Sequence, residues 1–431
     1  MKLRLPFINS LKFIRNGVFC IIGSDCVNSE SIGDLLKNKL KVIQFGDSFT
    51  PVIDGVTVAM MNYAKWINQK YGSCEIVVPH YDETEPDDFD YNVYRFKSID
   101  SIIKRPYRIG VPALDRNFMI KLKSLDANLV HAHSPYIAGD LAYKTAKRLN
   151  IPLVATFHTK FYDDFYACTH SKLITKYAVS KAVNFFEKAD YVWAVSHSAK
   201  DTLYEYGYRG KVEIMPNGCD TISETANRDL LLNEINNKYG LKENERIFLF
   251  VGRMDWHKNI RIIIDATEKF FKTHTGKLVM IGEGMNDSEI HDYVKRLRLY
   301  DKVIFTGKIL DRDMLFAFYL RSHLLLFPSL YDTLALVVRE AASVDCPAVL
   351  VRGSGAAEGC IDEKTAFLCE NSADSLLVKM QESISDTDLY NTVKKNCHTI
   401  AVPWEKIVDR VANRYDKIID DSKKGVIGDV R

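Results

Sequence analysis

The sequence predicts an α/β protein made of two doubly wound parallel sheets that face each other across a cleft. Short, continuous apolar runs alternate with helical patterns, which is typical of parallel strands covered on both faces. The alternation forms two series, at residues 41–220 and 245–400, with a polar stretch between them. A chain of 431 residues with 47% hydrophobic content is long for one domain and sufficient for two cores.

The two series predict where the strands lie. In the first series the strand-like runs are 41–47, 75–79, 127–133, 152–158, 190–196 and 211–218. Residues 221–244 are polar and weakly patterned, so we interpret them as a linker. The runs of the second series are 246–253, 277–284, 302–308, 323–329 and 347–354. Residues 401–431 contain an amphipathic helical pattern.

The first 40 residues lie outside this alternation. Basic residues precede a short apolar run, Gly17 to Ser24, which is too short to span a membrane, and no small-residue cleavage site follows it. We therefore expect no export, and the segment is either an amphipathic extension that touches a membrane or a disordered leader. Nine cysteines without zinc-like spacing indicate reduced thiols in a cytoplasmic protein. A net charge of +2 gives no reason to expect a nucleic-acid partner.

The strongest cluster of candidate site residues is VGRMDWHKN, at 251–259. Arg253 and Lys258 follow an apolar strand that ends at Gly252, and ligands of such sheets bind beyond the carboxyl ends of the strands. A guanidinium fork and an ammonium point charge suit a diphosphate. Two solvated surface cations are the alternative, and the position after a buried strand favours the diphosphate.

A second cluster, FPSLYDTLALVVREAASVDCP at 327–347, follows another strand. Asp332 lies in the loop, and Glu340 lies eight residues later on the helix that follows. The two carboxylates could bind hydroxyl groups at opposite ends of an extended ligand, near a helix N-terminus suited to phosphate. Alternatively, Asp332 is only an N-cap and Glu340 a solvated helix residue.

Together these motifs resemble family 4 of the retaining glycosyltransferases, which have the GT-B fold of two Rossmann-like domains. GRxxxxK, then GEG, then a carboxylate followed by seven residues and a glutamate carry the resemblance. TPVIDGV, HAHSPYIAG, ATFHT and IMPNGCD extend it over nearly the whole chain from Lys41. The chain departs from the family pattern at three positions. Asp332 replaces a glutamate, and Ala335 and Asp345 replace glycines.

The resemblance implies a role for each matching residue on the donor side. Arg253 and Lys258 would bind the diphosphate of a nucleotide-sugar donor, Glu340 its ribose, and Asp332 the hydroxyl groups of the transferred sugar. Backbone approach to the donor is implied for two further groups of residues. They are the glycines Gly55, Gly252 and Gly282, and the loop residues Thr333, Leu334, Ala335 and Leu336. The implied catalytic residues are His133, beside the reacting carbon, with Asp332, Arg253 and Lys258.

On the acceptor side, the resemblance implies the strand that ends at His158. The aromatic residues after it, including Phe161 and Tyr162, could line an acceptor groove or be core and helix packing residues. Similar enzymes include diacylglycerol glucosyltransferases and phosphatidylinositol mannosyltransferases, so a lipid acceptor is the first expectation and a polysaccharide or lipid-linked acceptor the second. A basic stretch with interleaved apolar residues, Lys97 to Lys123, could dock on an anionic membrane or be an ordinary solvated surface. We expect a cytoplasmic protein, peripheral on the inner face of the membrane if it docks.

The resemblance implies no cofactor and no metal, because placed cations stabilise the leaving group. DxD-like triplets occur at Asp88–Asp90 and Asp311–Asp313, and we interpret the first as part of an acidic loop and the second as a helix cap. A catalytically weakened partner subunit and a sugar-nucleotide isomerase remain alternatives. A Rossmann dehydrogenase is disfavoured because no GxGxxG follows a predicted strand. In similar proteins the last helix packs back on the first domain, which gives Trp404 a packing role.

Overall fold

A computed structural model describes residues 11–15, 18–21, 26–28, 40–82, 88–100 and 107–425. In the N-terminal segment it contains three short strands, β1 (Leu11–Arg15), β2 (Val18–Ile21) and β3 (Cys26–Asn28), which pair antiparallel in sequence order. The expectation of an amphipathic or disordered extension concerns residues 1–40, most of which lie outside the described residues.

The first domain is built on a seven-stranded parallel sheet. The order across it is β12-β11-β10-β9-β4-β5-β6. The central strands are apolar and fully buried because helices cover both faces, as the continuous apolar runs predict. The strands are β4 (Leu40–Phe45), β5 (Gly72–Pro79), β6 (Val93–Phe96), β9 (Leu129–Ala132), β10 (Leu153–Phe157), β11 (Tyr191–Ala194) and β12 (Val212–Ile214). A small antiparallel pair, β7 (Ser98–Asp100) and β8 (Arg108–Gly110), lies beside the sheet.

Within the described part of the chain, six α-helices belong to this domain. They are α1 (Gly55–Lys70), α2 (Arg116–Ser124), α3 (Ile137–Leu149), α4 (Phe161–Thr169), α5 (Lys172–Phe186) and α6 (His197–Glu205). Asp54 starts α1, because its carboxylate accepts hydrogen bonds from the backbone N–H groups of Val56 and Thr57. The helix thereby begins at Gly55, after the loop that follows the carboxyl end of β4 at Phe45.

The stretch that we expected to be a linker, 221–244, contains helix α7 (Arg228–Tyr239). Ile235 is completely buried in the core of the second domain, and Arg321 of that domain donates a hydrogen bond to the Asn236 side chain. The helix therefore belongs to the second domain, and the linker prediction is wrong for these residues. Few of its side chains are buried, which is why the sequence pattern was weak.

The second domain has a six-stranded parallel sheet, in the order β15-β14-β13-β16-β17-β18. Its strands are β13 (Ile247–Val251), β14 (Lys277–Ile281), β15 (Val303–Gly307), β16 (Leu324–Phe327), β17 (Ala348–Val351) and β18 (Phe367–Cys369). Its remaining helices are α8 (Ile260–Phe270), α9 (Asp287–Arg296), α10 (Arg312–Arg321), α11 (Leu336–Ser343), α12 (Ala373–Ser385) and α13 (Thr387–Asn396).

The last helix, α14 (Trp404–Lys423), crosses back and packs on the first domain. Trp404 is buried there with its ring edge against Tyr63 of α1, at a centroid distance of 6.2 Å. The chain thus crosses between the domains twice, and the two crossings meet where the Cys219 N–H donates to the Val402 carbonyl at 2.9 Å.

Candidate active site between the two domains

Lys258 lies in a short 3₁₀ helix, Trp256–Lys258, directly after β13. Its side chain is buried, and its Nζ is 2.5 Å from Asp332 Oδ1 in the loop after β16. A buried ammonium at the carboxyl end of a parallel strand is where an anionic ligand would bind. From the sequence we expect Lys258 to bind the diphosphate and Asp332 to bind the transferred sugar. The structure brings the two side chains together, which their separation of 74 residues did not reveal.

Asp332 is held as a charged carboxylate. Burial on its own would raise its pKa, but the Lys258 ammonium and the hydroxyl of Ser329, at 2.5 Å, bring the pKa below the ordinary value. Helix α11 begins four residues later, at Leu336, with Ala335 as its N-cap. The alternative that Asp332 is a helix cap is therefore wrong.

Arg253 lies between the buried strand and Lys258, with its side chain partly exposed. Its Nη1 is 3.4 Å from Asp255 Oδ2, and its Nη2 is 3.4 Å from His257 Nε2. Asp255 is buried and accepts a hydrogen bond from the Met285 N–H, so it fixes the loop after β14 against the loop after β13. Arg253 and Lys258 thus occupy the same rim of the sheet, one partly exposed and one buried.

The glycines after β13 and β14 allow this close packing. A side chain at Gly282 would put its Cβ 2.0 Å from the Gly252 carbonyl oxygen, and Gly282 has a φ of +132°. Both features restrict position 282 to glycine. Gly55, at the start of α1, faces the other domain, because a Cβ built there would be 4.0 Å from Leu336 Cδ1.

The loop at 333–336 packs against the first domain. The Thr333 hydroxyl donates to the His158 carbonyl at 2.7 Å, and the Thr333 carbonyl accepts from the Ser196 hydroxyl at 2.7 Å. Leu334 is buried in the core cluster of the first domain, and Leu336 packs against it. The side chains of Leu334 and Leu336 are thereby used in packing, so these residues could meet a donor only through their backbone.

Ala335 has a φ of +55°, in the left-handed region that favours glycine, and Asp345 has a φ of +58°. Both are positions where the resembling family has glycine. Ala335→Gly should therefore raise the free energy of unfolding by about 0.5–1 kcal/mol. The loss of the steric strain on Cβ stabilises the folded protein by more than the added freedom of glycine stabilises the unfolded chain. Urea unfolding measures this effect. Ala341→Gly, inside α11, is the matched control and should lower the same quantity by about 1 kcal/mol. Equal destabilisation by both changes would contradict the argument.

Glu340 is buried on α11, and its two oxygens have different partners. Oε1 accepts from Arg312 Nη2 at 2.5 Å, and Oε2 accepts from the Tyr319 hydroxyl at 3.0 Å. Arg312 is also 3.1 Å from Asp220, at the first crossing between the domains. Burial raises the pKa of Glu340 although Arg312 opposes this. The alternative of a solvated helix residue is wrong.

Sequence reasoning missed Arg312 and Tyr319 as neighbours of Glu340. Asp311 caps α10 through the Met314 N–H, as the sequence analysis expected. The sequence did contain one usable signal: Arg312 and Tyr319 are seven residues apart on one helix and therefore share a face.

Three buried histidines lie at the ends of β9 and β10. His133 Nδ1 is 3.0 Å from His158 Nε2, and His131 lies between the Tyr415 hydroxyl and the Thr156 hydroxyl, at 2.5 and 2.7 Å. Among the described residues, His133 Nε2 has no hydrogen-bond partner. Burial lowers the pKa of His131 and His133 well below 6.5 and that of His158 to about 3. All three rings are therefore neutral at pH 7.

These histidines make the stability depend on pH. Below about pH 6.5 these histidines become protonated in the unfolded chain but stay neutral in the folded protein. The free energy of unfolding should therefore fall as the pH falls. Each histidine contributes up to about 1.4 kcal/mol per pH unit. Asp47 has the opposite effect on this pH dependence, equivalent to one proton. Burial raises the pKa of its carboxyl group to about 6, so the folded protein binds a proton there that the unfolded chain releases. Urea unfolding between pH 5 and 7 measures the slope. His158→Gln should reduce the slope by about one proton, and an unchanged slope would contradict the assignment. His170→Gln, at an exposed position, is the control.

The acceptor-side aromatics lie at the start of α4. Phe161 packs edge-on against Tyr136 and Phe157, and the Tyr162 N–H donates to the Tyr206 hydroxyl at 2.9 Å. Both side chains are partly buried against the core of the first domain. Lys160, one residue earlier, donates to the Leu330 carbonyl of the second domain at 3.0 Å. The residues therefore lie at the junction of the domains, and much of their surface is used in packing.

Glu358, to which the sequence analysis assigned no role, bridges the two domains. Its carboxylate accepts from the backbone N–H groups of His197 and Ser198 at 2.6 and 3.0 Å, at the first turn of α6. The buried Arg339 fixes the loop that contains Glu358 by donating a hydrogen bond to the Glu358 carbonyl oxygen. A carboxylate at a helix N-terminus is favoured by the free N–H groups and the helix dipole. This bridge, hereafter the Glu358 bridge, holds the second domain against the first.

The expected membrane patch, Lys97 to Lys123, is only partly described, since residues 101–106 lie outside the described residues. Phe118 is buried against Phe96, and Arg108 is paired with Asp82 and Asp100 at 2.7 and 2.9 Å. Phe118 is therefore not available to a membrane. None of the described helices is long and apolar enough to cross a bilayer. Within the described part of the chain, no group of three or more His, Cys, Asp or Glu side chains is arranged to hold a metal ion.

Family comparisons cover both domains. Residues 53–222 match the model described as Glycosyltransferase Family 4, and residues 233–399 match the model described as Glycosyl transferases group 1. The chain is 22% identical over 329 residues to an alpha-monoglucosyldiacylglycerol synthase of Streptococcus pneumoniae, which covers 75% of this chain and 74% of the relative. The enzyme of the same name from Acholeplasma laidlawii is 21% identical over 395 residues, covering 88% of this chain and 98% of the relative.

Solved structures show the same fold. The HepE protein of Anabaena, crystallised with UDP and glucose, superposes with a TM-score of 0.70 at 18% identity, over 88% of this chain and 99% of that one. Sucrose-phosphate synthase of Thermosynechococcus elongatus superposes with a TM-score of 0.71 at 18% identity, over the same shares. The two family models, the relatives and the architecture agree. The chain belongs to the family 4-like glycosyltransferases of the GT-B fold.

Proposed function

We propose that this glycosyltransferase moves a hexose from a UDP-linked donor to a membrane lipid such as diacylglycerol, with retention of the anomeric configuration and without a metal ion. The observation that carries the proposal is Lys258. The residue is only 7% exposed and lies in the loop beyond the carboxyl end of a buried strand, on the same rim of the sheet as Arg253. A fixed cation in that position would stabilise the charge that builds up on a departing nucleotide diphosphate.

We assign the other predicted donor residues to the same ligand. A diphosphate on Lys258 and Arg253 would share the ammonium with Asp332, whose remaining lone pairs would accept from sugar hydroxyl groups. Glu340 would accept from the ribose hydroxyl groups while Arg312 keeps it charged. The backbone from Thr333 to Leu336 and the start of α1 at Gly55 would close around the sugar.

In the proposed reaction, the bond between the anomeric carbon and the β-phosphate oxygen breaks, and a bond to the acceptor hydroxyl oxygen forms on the same face. The acceptor proton goes to the departing phosphate oxygen. The neutral His133 ring has a buried Nε2 without a partner among the described residues, and this atom would bind a sugar hydroxyl beside the reacting carbon. A buried polar atom without a partner is rare and is satisfied when such a ligand binds.

The lipid acceptor is proposed from the two synthases with which the chain aligns over most of its length. The names of these synthases describe the formation of monoglucosyldiacylglycerol, and a transferase of that kind must work at a bilayer surface. We accordingly propose a cytoplasmic location, peripheral on the inner face of the membrane.

The test is a donor and acceptor matrix. Purified protein is incubated with UDP-glucose, UDP-galactose, UDP-N-acetylglucosamine or GDP-mannose, each with diacylglycerol vesicles, a lipid-linked oligosaccharide or no acceptor, in the presence of EDTA. The expected result is transfer from one UDP-hexose to diacylglycerol, with an α-linked product by NMR and slow donor hydrolysis without acceptor.

Other outcomes overturn the proposal in identifiable ways. Transfer only to the lipid-linked oligosaccharide would replace the acceptor, and an epimerised nucleotide sugar would indicate an isomerase. Absence of turnover with every donor, together with UDP binding, would indicate a partner subunit of an active transferase. Loss of transfer in EDTA that Mg²⁺ restores would contradict the metal-independent mechanism.

A further inference from the structure

Helices α4 and α5 form a hairpin with its base at the domain junction and its tip on the surface. His170 and Ser171 make the turn, and the Ser171 hydroxyl caps α5. The second half of α5 is held in the core of the first domain by Val179, Val183 and Phe186. Its first half carries apolar side chains that nothing in the described chain covers.

Four large apolar side chains are exposed near this tip. Leu173 is 82% exposed, the largest value among the large apolar side chains that the structure describes, and Tyr177, Ile174 and Tyr166 are 65%, 54% and 39% exposed. Leu173 and Tyr177 lie four residues apart on α5, and Ile174 and Tyr177 three apart, so they share one face. Single exposed apolar residues are ordinary, but a group of four at one tip marks an interaction surface.

The charged side chains on the exposed first half of α5 are all positive, and the nearest described acidic side chain on the hairpin is Asp163, one turn before Tyr166 on α4. Lys172, Lys176 and Lys181 are exposed on α5, and Lys181 Nζ lies 5.6 Å from the centre of the Tyr177 ring. Between Phe165 and Phe186 the sequence contains no aspartate or glutamate. The apolar side chains of α5 flanked by lysines are complementary to an anionic bilayer, into which the apolar groups insert while the lysines meet the headgroups.

The hairpin also connects this tip with the active site. Tyr162 at its base stacks on Tyr166 at 6.2 Å, and Tyr166 meets His170 edge-on at 6.4 Å. This aromatic row runs along α4 for nine residues, or about 13 Å at 1.5 Å per residue. A lipid headgroup leaving a bilayer at the tip would therefore have a short path along α4 to the domain junction.

We propose that the tip of the α4–α5 hairpin is the surface by which the protein docks on an anionic lipid bilayer. The inference rests on the proposed lipid acceptor for its purpose, but bilayer binding is measured without any turnover. It places the docking site on α5 rather than on the stretch from Lys97 to Lys123. In that stretch Leu114 and Ile120 are exposed, but Phe118 is buried and Arg108 is paired with two aspartates.

Vesicle sedimentation tests the proposal. The full chain should bind vesicles containing phosphatidylglycerol and should bind pure phosphatidylcholine vesicles much more weakly. Lys172→Gln/Lys176→Gln should weaken binding to the anionic vesicles by about 25-fold, since each lysine near the surface contributes about fivefold. Leu173→Glu/Tyr177→Glu should reduce binding below detection. These side chains are exposed, so the variants should keep the melting temperature of the parent.

Two matched control variants test whether the docking surface lies on α5. Leu230→Glu changes a 65% exposed leucine of α7 in the second domain, and Ile120→Glu changes a 59% exposed isoleucine of α2 within the Lys97–Lys123 stretch. Both should bind vesicles within twofold of the parent. Loss of binding in Ile120→Glu with retention in the α5 variants would overturn the proposal. So would a dimer of the parent that Leu173→Glu/Tyr177→Glu dissociates while vesicle binding stays unchanged.

An activity measurement separates the two proposals. With diacylglycerol dispersed in non-ionic micelles, Lys172→Gln/Lys176→Gln should transfer sugar at the parental rate, while transfer to anionic vesicles should fall together with binding. If no protein transfers sugar in either format but the vesicle results hold, the proposed function fails and the docking surface stands. If transfer occurs and all variants bind vesicles equally, the docking surface fails and the function stands.

Discussion

Lys258→Ala should lower kcat/KM with the UDP-sugar donor by roughly 10²–10³-fold. The substitution removes a buried cation next to the expected position of the diphosphate, where little solvent competes with it. It also leaves the buried Asp332 without its main partner, so the free energy of unfolding should fall by roughly 2–4 kcal/mol. Initial rates of transfer and urea unfolding measure the two effects separately.

A double variant distinguishes catalysis from folding. Lys258→Met/Asp332→Asn removes both charges and keeps similar volumes, so the stability should return close to that of the parent. Its transfer rate should remain as low as that of Lys258→Ala. If the double variant recovered activity along with stability, Lys258 would have only a structural role, and the proposed donor site would be wrong.

Glu340→Ala should weaken UDP binding by roughly 10- to 100-fold, because the ribose would lose hydrogen bonds to a charged acceptor. Isothermal titration with UDP measures this loss. Tyr319→Phe is the matched control, because it removes one hydrogen bond to Oε2 and leaves the carboxylate in place. Its effect on UDP affinity should be below about fivefold, since a neutral donor contributes about 1 kcal/mol. Equal affinities of the parent and Glu340→Ala for UDP would contradict the ribose assignment.

Arg312 gives this prediction a pH signature. Burial raises the pKa of Glu340 and Arg312 opposes that effect, so Arg312→Met should raise the pKa further. The carboxyl group would then hold its proton to higher pH and accept fewer hydrogen bonds. UDP affinity of Arg312→Met should consequently increase as the pH rises, whereas the affinity of Glu340→Ala should not show this recovery.

The two sheets and the positions of the site loops could be predicted from the sequence because buried parallel strands consist of continuous runs of apolar residues. The loop after each run then follows from the chain direction alone, which predicts that Lys258 and Asp332 lie at the edges of the strands, whereas the role of His133 is implied by the family resemblance. Helix α7 was missed because its surface is mostly polar and Ile235 alone is fully buried.

The partners of the site residues could not be predicted. Lys258 and Asp332 are 74 residues apart, and His133 and His158 are 25 apart on adjacent strands. Such pairs depend on the order of strands in the sheets, which an isolated motif does not contain. The strained backbone of Ala335 was equally hidden, although the replacement of a family glycine at that position pointed to it.

The Glu358 bridge has a kinetic consequence. It joins the first turn of α6 to the second domain, so any separation of the domains at this end must break those two hydrogen bonds. For a ligand that enters only the open form, the rate of binding would scale with the fraction of molecules that are open, and the release of a product would depend on the same opening. A stronger bridge would lengthen the residence time of the product, and a weaker one would speed up turnover at the cost of admitting more water.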